Sequence, residues 1–244
     1  MSQIGDKPIT MRDILDRSRA VLEREYSGDP HLLTSILLQL SARYADLGDS
    51  RIRGALLMRA DSLAVATGDR GHLIEARCDM VDNLRSEGRY DEAQKMIDSA
   101  QSMLRATPNP RVEVTCLQSL ADLENEAGPK HDRGVPAMSR ALFIRDSLGE
   151  TRDMTYVGLF STLADALDQQ GNHREALATY DSAMAVLDRT GRGETMTRVI
   201  VQHDHAVTLL DLGETAAAEK SLHDVLWRIA RSDLFRAGRL CHHG

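Results

Sequence analysis

The chain has 244 residues, of which 42% are hydrophobic and 27% are charged, so it is long enough to bury a substantial core. Its formal net charge of −7 and its pI near 5.7 exclude a general nucleic-acid binder, which carries a basic surplus, and favour a basic partner. The sequence has no run of about 18 apolar residues and no basic segment followed by an apolar core. We therefore expect a cytoplasmic protein with no membrane span.

The three cysteines, Cys78, Cys116 and Cys241, are odd in number, lie far apart and form no CxxC pair. This pattern predicts neither a disulfide framework nor a zinc site, and its simplest interpretation is a reducing compartment.

From residue 31 onward, a glycine recurs at intervals of 40 to 43 residues, at Gly48, Gly88, Gly128, Gly171 and Gly213. Periods of this size indicate a stacked array of small units, because one unit alone cannot bury its apolar face. We expect each glycine to end a helix in a turn that needs a positive φ.

Apolar residues with helical spacing lie on both sides of each glycine. Examples are Leu37, Leu40, Tyr44 and Leu47 before Gly48, and Ala93, Ile97, Ala100 and Leu104 after Gly88. Each unit is therefore predicted to be a helical hairpin, with small residues at Ala93, Ala176 and Ala218 allowing close approach of its two helices. Asp29-Pro30 and Asn109-Pro110 are typical helix starts.

The fourth unit, with "FSTLADALDQQGNHREALATYDSAMAV" at 160–186, resembles the tetratricopeptide repeat (TPR) family. The resemblance implies an all-α, right-handed α-solenoid of five hairpins over 31–231. Their expected bounds are 31–70, 71–109, 110–151, 152–192 and 193–231. The units depart from the family at Arg53, where alanine is usual, and at Glu124, where tyrosine is usual. They also lack its tryptophan and exceed its period of about 34 residues.

The N-terminal segment, 1–30, contains a stretch that resembles the lone helix before the TPR tail of bacterial serine/threonine kinases. The matching residues are Ile14, Leu15, Asp16, Arg17, Ala20, Leu22, Glu23 and Pro30. This resemblance implies the sensory or interaction portion of a bacterial signalling protein, which lies outside the cytoplasm in some membrane kinases.

The C-terminal tail, 232–244, is predicted to begin a further helix that stops early. It would leave Leu222, Val225 and Leu226 partly uncovered unless Leu234 and Phe235 cover them. The tail is then a cap, or the surface pairs with another chain, or the chain is a fragment of a longer protein.

No catalytic or metal-binding pattern emerges, so we expect no enzyme activity and no cofactor. "GRGE" at 191–194 and "KHDRG" at 130–134 lack the context of kinase motifs. On a helix, His203 and His205 face different ways, so we expect His205 to pack inward and His203 to lie on the surface. "CHH" at 241–243 is not expected to form an ordered site. Asp16 and Glu23 are expected on solvated faces.

The TPR resemblance implies that the first helices line a concave groove that takes a peptide. The position six residues before each turn glycine holds Ala42, Asp82, Asp122, Asp165 and Val207. Neighbouring acidic positions are Asp46, Glu75, Glu126, Asp168 and Asp211, and uncharged ones are Gln118, Asn125, Ser161 and Gln169. Arg85 is the one base placed among them.

Two interpretations of these acids stay open. In one, they form an acidic recognition groove for a basic protein segment. The residues of this groove are Asp82, Asp122, Asp165, Asp46, Glu75, Glu126, Asp168, Gln118 and Asn125. In the other, the acids only keep a helix face soluble. The preferred function is a non-catalytic protein-interaction scaffold. The alternatives are a regulatory tail fragment of a bacterial kinase and a ligand-sensing TPR domain.

Overall fold

The structure is a computed structural model that describes residues 10–127, 133–150, 153–193 and 195–240. Within these ranges the chain forms eleven α-helices and no strand. They are α1 (Met11–Glu25), α2 (Pro30–Asp46), α3 (Ser50–Thr67), α4 (Arg70–Ser86), α5 (Tyr90–Ala106), α6 (Pro110–Ala127), α7 (Gly134–Ser147), α8 (Met154–Gln169), α9 (His173–Arg189), α10 (Met196–Asp211) and α11 (Thr215–Leu240). The chain divides within α6, after Ser119, into two compact units.

After α1, the helices alternate as the first and second members of five hairpins, which confirms the predicted architecture. The turn glycines Gly48, Gly88, Gly171 and Gly213 have φ between 68° and 77°, as predicted, whereas Gly128 lies outside the described residues. Three further glycines with φ between 66° and 70° follow the second helices, where the sequence analysis did not expect them: Gly68, Gly149 and Gly191.

Within each unit, the core lies between the two helices of a hairpin and between successive hairpins. Leu37, Leu57, Ile74 and Ile97 are fully buried in the first unit. The predicted small contact residues, Ala93, Ala176 and Ala218, are also fully buried. A larger side chain at any of these alanines would push the paired helices apart.

The predicted helix starts are confirmed. The Asp29 carboxylate accepts a 3.0 Å hydrogen bond from the backbone N–H of Leu32, and Pro30 is the first residue of α2. The side-chain oxygen of Asn109 accepts a 3.4 Å bond from the N–H of Val112, so the same arrangement starts α6.

Helix α1 contacts α2 without burying any residue of its own. Three polar contacts connect it to the first hairpin: the Tyr44 hydroxyl donates to Asp16 at 2.6 Å, the Arg59 guanidinium donates to Glu23 at 2.6 Å, and Arg12 pairs with Asp49, the residue that caps α3. The expectation that Asp16 and Glu23 lie on solvated faces is therefore wrong, because both carboxylates are half-buried acceptors of interhelical bonds.

Cys78 in α4 and Cys116 in α6 form a disulfide, with their Cα atoms 5.0 Å apart and both side chains buried. The expectation of no disulfide is therefore wrong. The two cysteines are 38 residues apart along the chain, and the sequence did not show that α4 and α6 bring them together. The inference of a reducing compartment depended on free thiols at these positions and loses that support. Cys241 lies outside the described residues.

Glu124, the departure from the usual tyrosine, is only 2% exposed. Arg133, immediately before α7, donates to its carboxylate through Nε at 2.9 Å and through a second guanidinium nitrogen. This ion pair compensates the buried charge, which would otherwise be costly at such a position.

The last helix, α11, continues without a break to Leu240, so residues 232–240 extend it rather than start another helix. Val225 is buried, Leu222 is half-buried, and Leu226 is 65% exposed. The "CHH" segment at 241–243 lies outside the described residues. Among the helices that the structure describes, none has the length and apolar character needed to cross a membrane.

Candidate functional site

The three aspartates predicted to line the groove, Asp82, Asp122 and Asp165, are half-buried on α4, α6 and α8. Each carboxylate already accepts a hydrogen bond from another helix. Ser119 bonds Asp82, the Thr162 hydroxyl bonds Asp122 at 3.0 Å, and the Tyr180 hydroxyl bonds Asp165.

In the first unit, Asp82 is balanced by arginine. The Arg53 guanidinium lies 3.7 Å from Asp82 Oδ2, and only 15% of the Arg53 side chain is exposed. Burial raises the pKa of Asp82, while the charges of Arg53 and Arg85 oppose that rise. Arg53, the departure from the usual alanine, is thus explained by its ion pair with Asp82.

Asp79 completes an acidic face on α4 that the sequence analysis missed. Glu75, Asp79 and Asp82 have the i, i+4, i+7 spacing of one helix face, and this spacing was the signal available in the sequence. Burial raises the pKa of Asp79 to about 7, the charges of Asp82 and Glu75 add to the rise, and Arg53 opposes it. Burial also raises the pKa of Glu75, against the opposing effect of His72.

In the second unit, Asp165 lies among other carboxylates. Burial raises the pKa of Asp165 to about 6; the bond from Tyr180 opposes the rise, and the charges of Asp204 and Asp168 add to it. Asp204, on α10, is a second functional candidate that the sequence analysis missed. It lies nine residues before its turn glycine, a position that gave no signal without the tertiary contacts.

The Asp82 and Asp122 contacts share one register: the side chain six residues before one turn glycine meets the side chain nine residues before the next. Ser119 and Thr162 occupy this second position and supply hydroxyl donors to Asp82 and Asp122. Asp204 occupies the same position opposite Asp165 and supplies a second negative charge instead. At this register, therefore, Asp82 and Asp122 each have a hydroxyl donor on the next first helix, whereas Asp165 has the charge of a second carboxylate.

Of the remaining predicted positions, Asn125 and Asp168 contact residues of other helices, whereas Asp46 and Glu126 are exposed. Asn125 donates to the Thr162 carbonyl at 3.3 Å, next to Asp122, and Asp168 lies 2.8 Å from His173 Nδ1. Asp46 is exposed and pairs with Arg43 of its own helix at 3.0 Å. Gln118 is half-buried and Glu126 is exposed.

The two histidines of the "HDH" stretch lie as predicted. The His203 side chain is 59% exposed, whereas that of His205 is 16% exposed. The His205 ring packs edge-on against the Tyr180 ring, with 6.3 Å between their centroids.

Comparison with solved structures shows which fold these hairpins form. A variant of a Podosopora anserina protein described as a kinesin light chain with nearly identical TPR-like repeats superposes with a TM-score of 0.65 and 18% identity, covering 84% of this chain and 97% of that one. The fold is TPR-like. The Podosopora anserina protein of the same description, without that variant's change, gives 0.63 and 19%, covering 83% of this chain and 97% of that one.

BtubC (BKLC) from P. vanneervenii has a TM-score of 0.62 and 17% identity, covering 95% of this chain and 91% of that chain. No family model matches the chain, and no curated protein matches it in sequence. Identities this low establish the repeat fold alone. The similarity of residues 10–30 to bacterial kinases has no counterpart among these matches.

Proposed function

We propose that this chain is a non-catalytic protein-interaction scaffold that binds a basic segment of a partner protein. The binding face consists of Asp165 and Asp168 of α8 and Asp204 of α10. This proposal narrows the predicted acidic groove to the part of the second unit where the carboxylates are least neutralised.

The observation that carries the proposal is the like-charge interaction of Asp165 with Asp204 between the contacting helices α8 and α10. Within the described residues, Asp165, Asp168 and Asp204 form no ion pair with arginine or lysine; their partners are Tyr180, His173 and His203. Partial burial of Asp165 makes its negative charge costly until a cation arrives. A guanidinium or ammonium group from a partner supplies that cation.

By contrast, arginines of the chain itself partly neutralise the acids of the first unit. Arg53 and Arg85 act on Asp82, and Arg53 also acts on Asp79. A cation from a partner gains less interaction energy where an arginine of the chain already neutralises the carboxylates. We therefore expect the first-unit face to contribute less to binding a basic segment.

The test uses a fluorescein-labelled peptide of alternating arginine and alanine, with a glutamate-for-arginine peptide as its control. The variant Asp165→Asn with Asp204→Asn keeps the side-chain shapes and removes both charges. Its matched control, Asp91→Asn with Asp224→Asn, makes the same change in net charge at exposed positions. Circular dichroism checks that both retain their helix content.

We expect the first double variant to weaken binding by about tenfold or more and the control to change it by about twofold or less, as a local charge contact requires. Equal losses in both variants would show that the peptide responds to overall charge, and the proposed face would be wrong. Binding of the glutamate peptide with similar affinity would also contradict the proposal.

A groove in the first unit favours ligand sensing as a second candidate function. It has a volume of about 860 Å³ between α3, α4 and α5, and Met58, Met80 and Met96 supply much of its apolar lining. Pockets of this size and character commonly take small molecules. A rise in melting temperature with a metabolite alone, abolished by Met58→Asp, would support this candidate, and no rise across a metabolite collection would count against it.

A further inference from the structure

We propose that Asp168, His173 and Asp211 bind a divalent transition-metal ion of the zinc, cobalt or nickel type. Asp168 lies in the last turn of α8, His173 is the first residue of α9, and Asp211 is the last residue of α10. One ligand atom from each side chain lies within 4.8 Å of the other two.

This spacing is close to what a shared ion requires. Metal–ligand bonds of about 2.0–2.2 Å place ligand atoms of one ion roughly 3–4 Å apart. His173 Nδ1 and Asp168 Oδ1 are 2.8 Å apart, joined by a hydrogen bond whose proton an ion would replace. Asp211 is exposed, so its side chain can adjust to complete the set.

The imidazole nitrogen decides the class of ion. Carboxylates alone would describe an ordinary acidic surface and would suit hard cations such as calcium and magnesium. Imidazole nitrogen combined with carboxylate oxygen suits zinc, nickel and cobalt instead. Three protein ligands leave a coordination position open, which water would fill.

The surrounding field also favours a cation. Asp168 and Asp211 lie at the C-terminal ends of α8 and α10, where the helix dipoles present partial negative charge. Within the described residues, neither aspartate forms an ion pair with arginine or lysine, and His173 is the partner of Asp168. Asp165 and Asp204 lie further back along the same two helices and add to the negative potential.

An ion at this position would join the turn between α8 and α9 to the end of α10, and so would connect the fourth and fifth hairpins. Because it would bind the folded chain and not the separated side chains, it would stabilise the fold. The site shares Asp168 with the proposed binding face but needs no partner protein, so it does not depend on the proposed function.

The test titrates the full-length chain, stripped of metal, with zinc by calorimetry and with cobalt by visible absorption, and uses calcium and magnesium as controls. The variants are His173→Gln and Asp211→Asn. The matched control is His203→Gln, which removes another imidazole that lies 3.0 Å from an aspartate. Each titration is repeated with Cys241→Ser, so that zinc held by the terminal residues is recognised.

We expect one zinc ion per chain with micromolar affinity, weakened at least tenfold by His173→Gln or Asp211→Asn and unchanged by His203→Gln. Zinc should also raise the melting temperature of the parent chain but not of His173→Gln. Unchanged zinc affinity in both variants, an equal loss in His203→Gln, equal binding of calcium, or millimolar binding typical of an adventitious ion only would overturn the site. Binding of the basic peptide to His173→Gln separates this result from the proposed function.

Discussion

The Tyr44 hydroxyl donates a 2.6 Å hydrogen bond to the Asp16 carboxylate and thereby joins α1 to the first hairpin. Burial, followed by the bond to Asp16 and its charge, raises the pKa of Tyr44 to about 12, so the hydroxyl stays protonated and remains a donor. Since α1 buries no residue of its own, polar contacts matter for its attachment: this bond, the Arg59–Glu23 pair and the Arg12–Asp49 pair.

Replacing Tyr44 with phenylalanine should therefore weaken the attachment of α1. The change removes only the hydroxyl, and we expect the free energy of unfolding to fall by about 1.5–3 kcal/mol, the contribution of a hydrogen bond to a charged acceptor. Urea denaturation measures the loss, and hydrogen exchange should show it as faster exchange of the α1 amides.

The control for that experiment is Tyr26→Phe, because no hydrogen bond of the Tyr26 hydroxyl is seen in the part of the chain that the structure describes. It should leave stability nearly unchanged. Equal effects of the two substitutions, or normal α1 protection in Tyr44→Phe, would show that the Asp16 bond is not what retains α1.

Stability should fall with rising pH because of Asp79. Its pKa is raised from 3.8 to about 7 by burial, so the folded state holds a proton that the unfolded state has released. The folded state binds more protons between about pH 4 and pH 7, and its stability therefore decreases as pH rises through that window.

The variant Asp79→Asn removes this ionisation. At pH 8 the free energy of unfolding of the variant should exceed that of the parent chain by on the order of 2 kcal/mol. This gain is smaller than the full pKa difference implies, because the Asp79 side chain is partly exposed and solvent screens its charge. At pH 4 the two proteins should be similar. Urea denaturation across this pH range measures the difference, and a constant difference at all pH values would argue against a raised pKa at Asp79.

Reduction of the Cys78–Cys116 disulfide should destabilise the chain. The bond closes a loop across 38 residues, and the chain-entropy model assigns such a loop about 4 kcal/mol. Urea denaturation with and without a reductant measures this loss, and Cys78→Ala with Cys116→Ala should reproduce it without reductant.

Peptide mapping provides the direct check on the bond. Digestion without reductant should yield one linked peptide pair that contains Cys78 and Cys116, and the variant Cys241→Ser should yield the same pair. The chain can also be unfolded without reductant and treated with an alkylating agent. Alkylation of both Cys78 and Cys116 would then show that the bond is absent.

The sequence by itself determined the repeat. Gly48, Gly88, Gly171 and Gly213 end the first helices because the chain there needs a backbone conformation that other residues rarely adopt. The helical spacing of apolar residues and the small residue at Ala93 then predict packed hairpins. These features are local, since each depends on residues within about one helix length, and a single sequence displays them directly.

Only the tertiary structure decided which side chains meet between hairpins. The sequence placed Asp82, Asp122 and Asp165 in phase, but it did not reveal that the next first helix offers a hydroxyl donor to each of the first two and the negative charge of Asp204 to Asp165. The disulfide and the Asp168 and His173 contact were hidden for the same reason. Such contacts depend on the offset between neighbouring helices, which the packing of whole helix surfaces sets and no local pattern encodes.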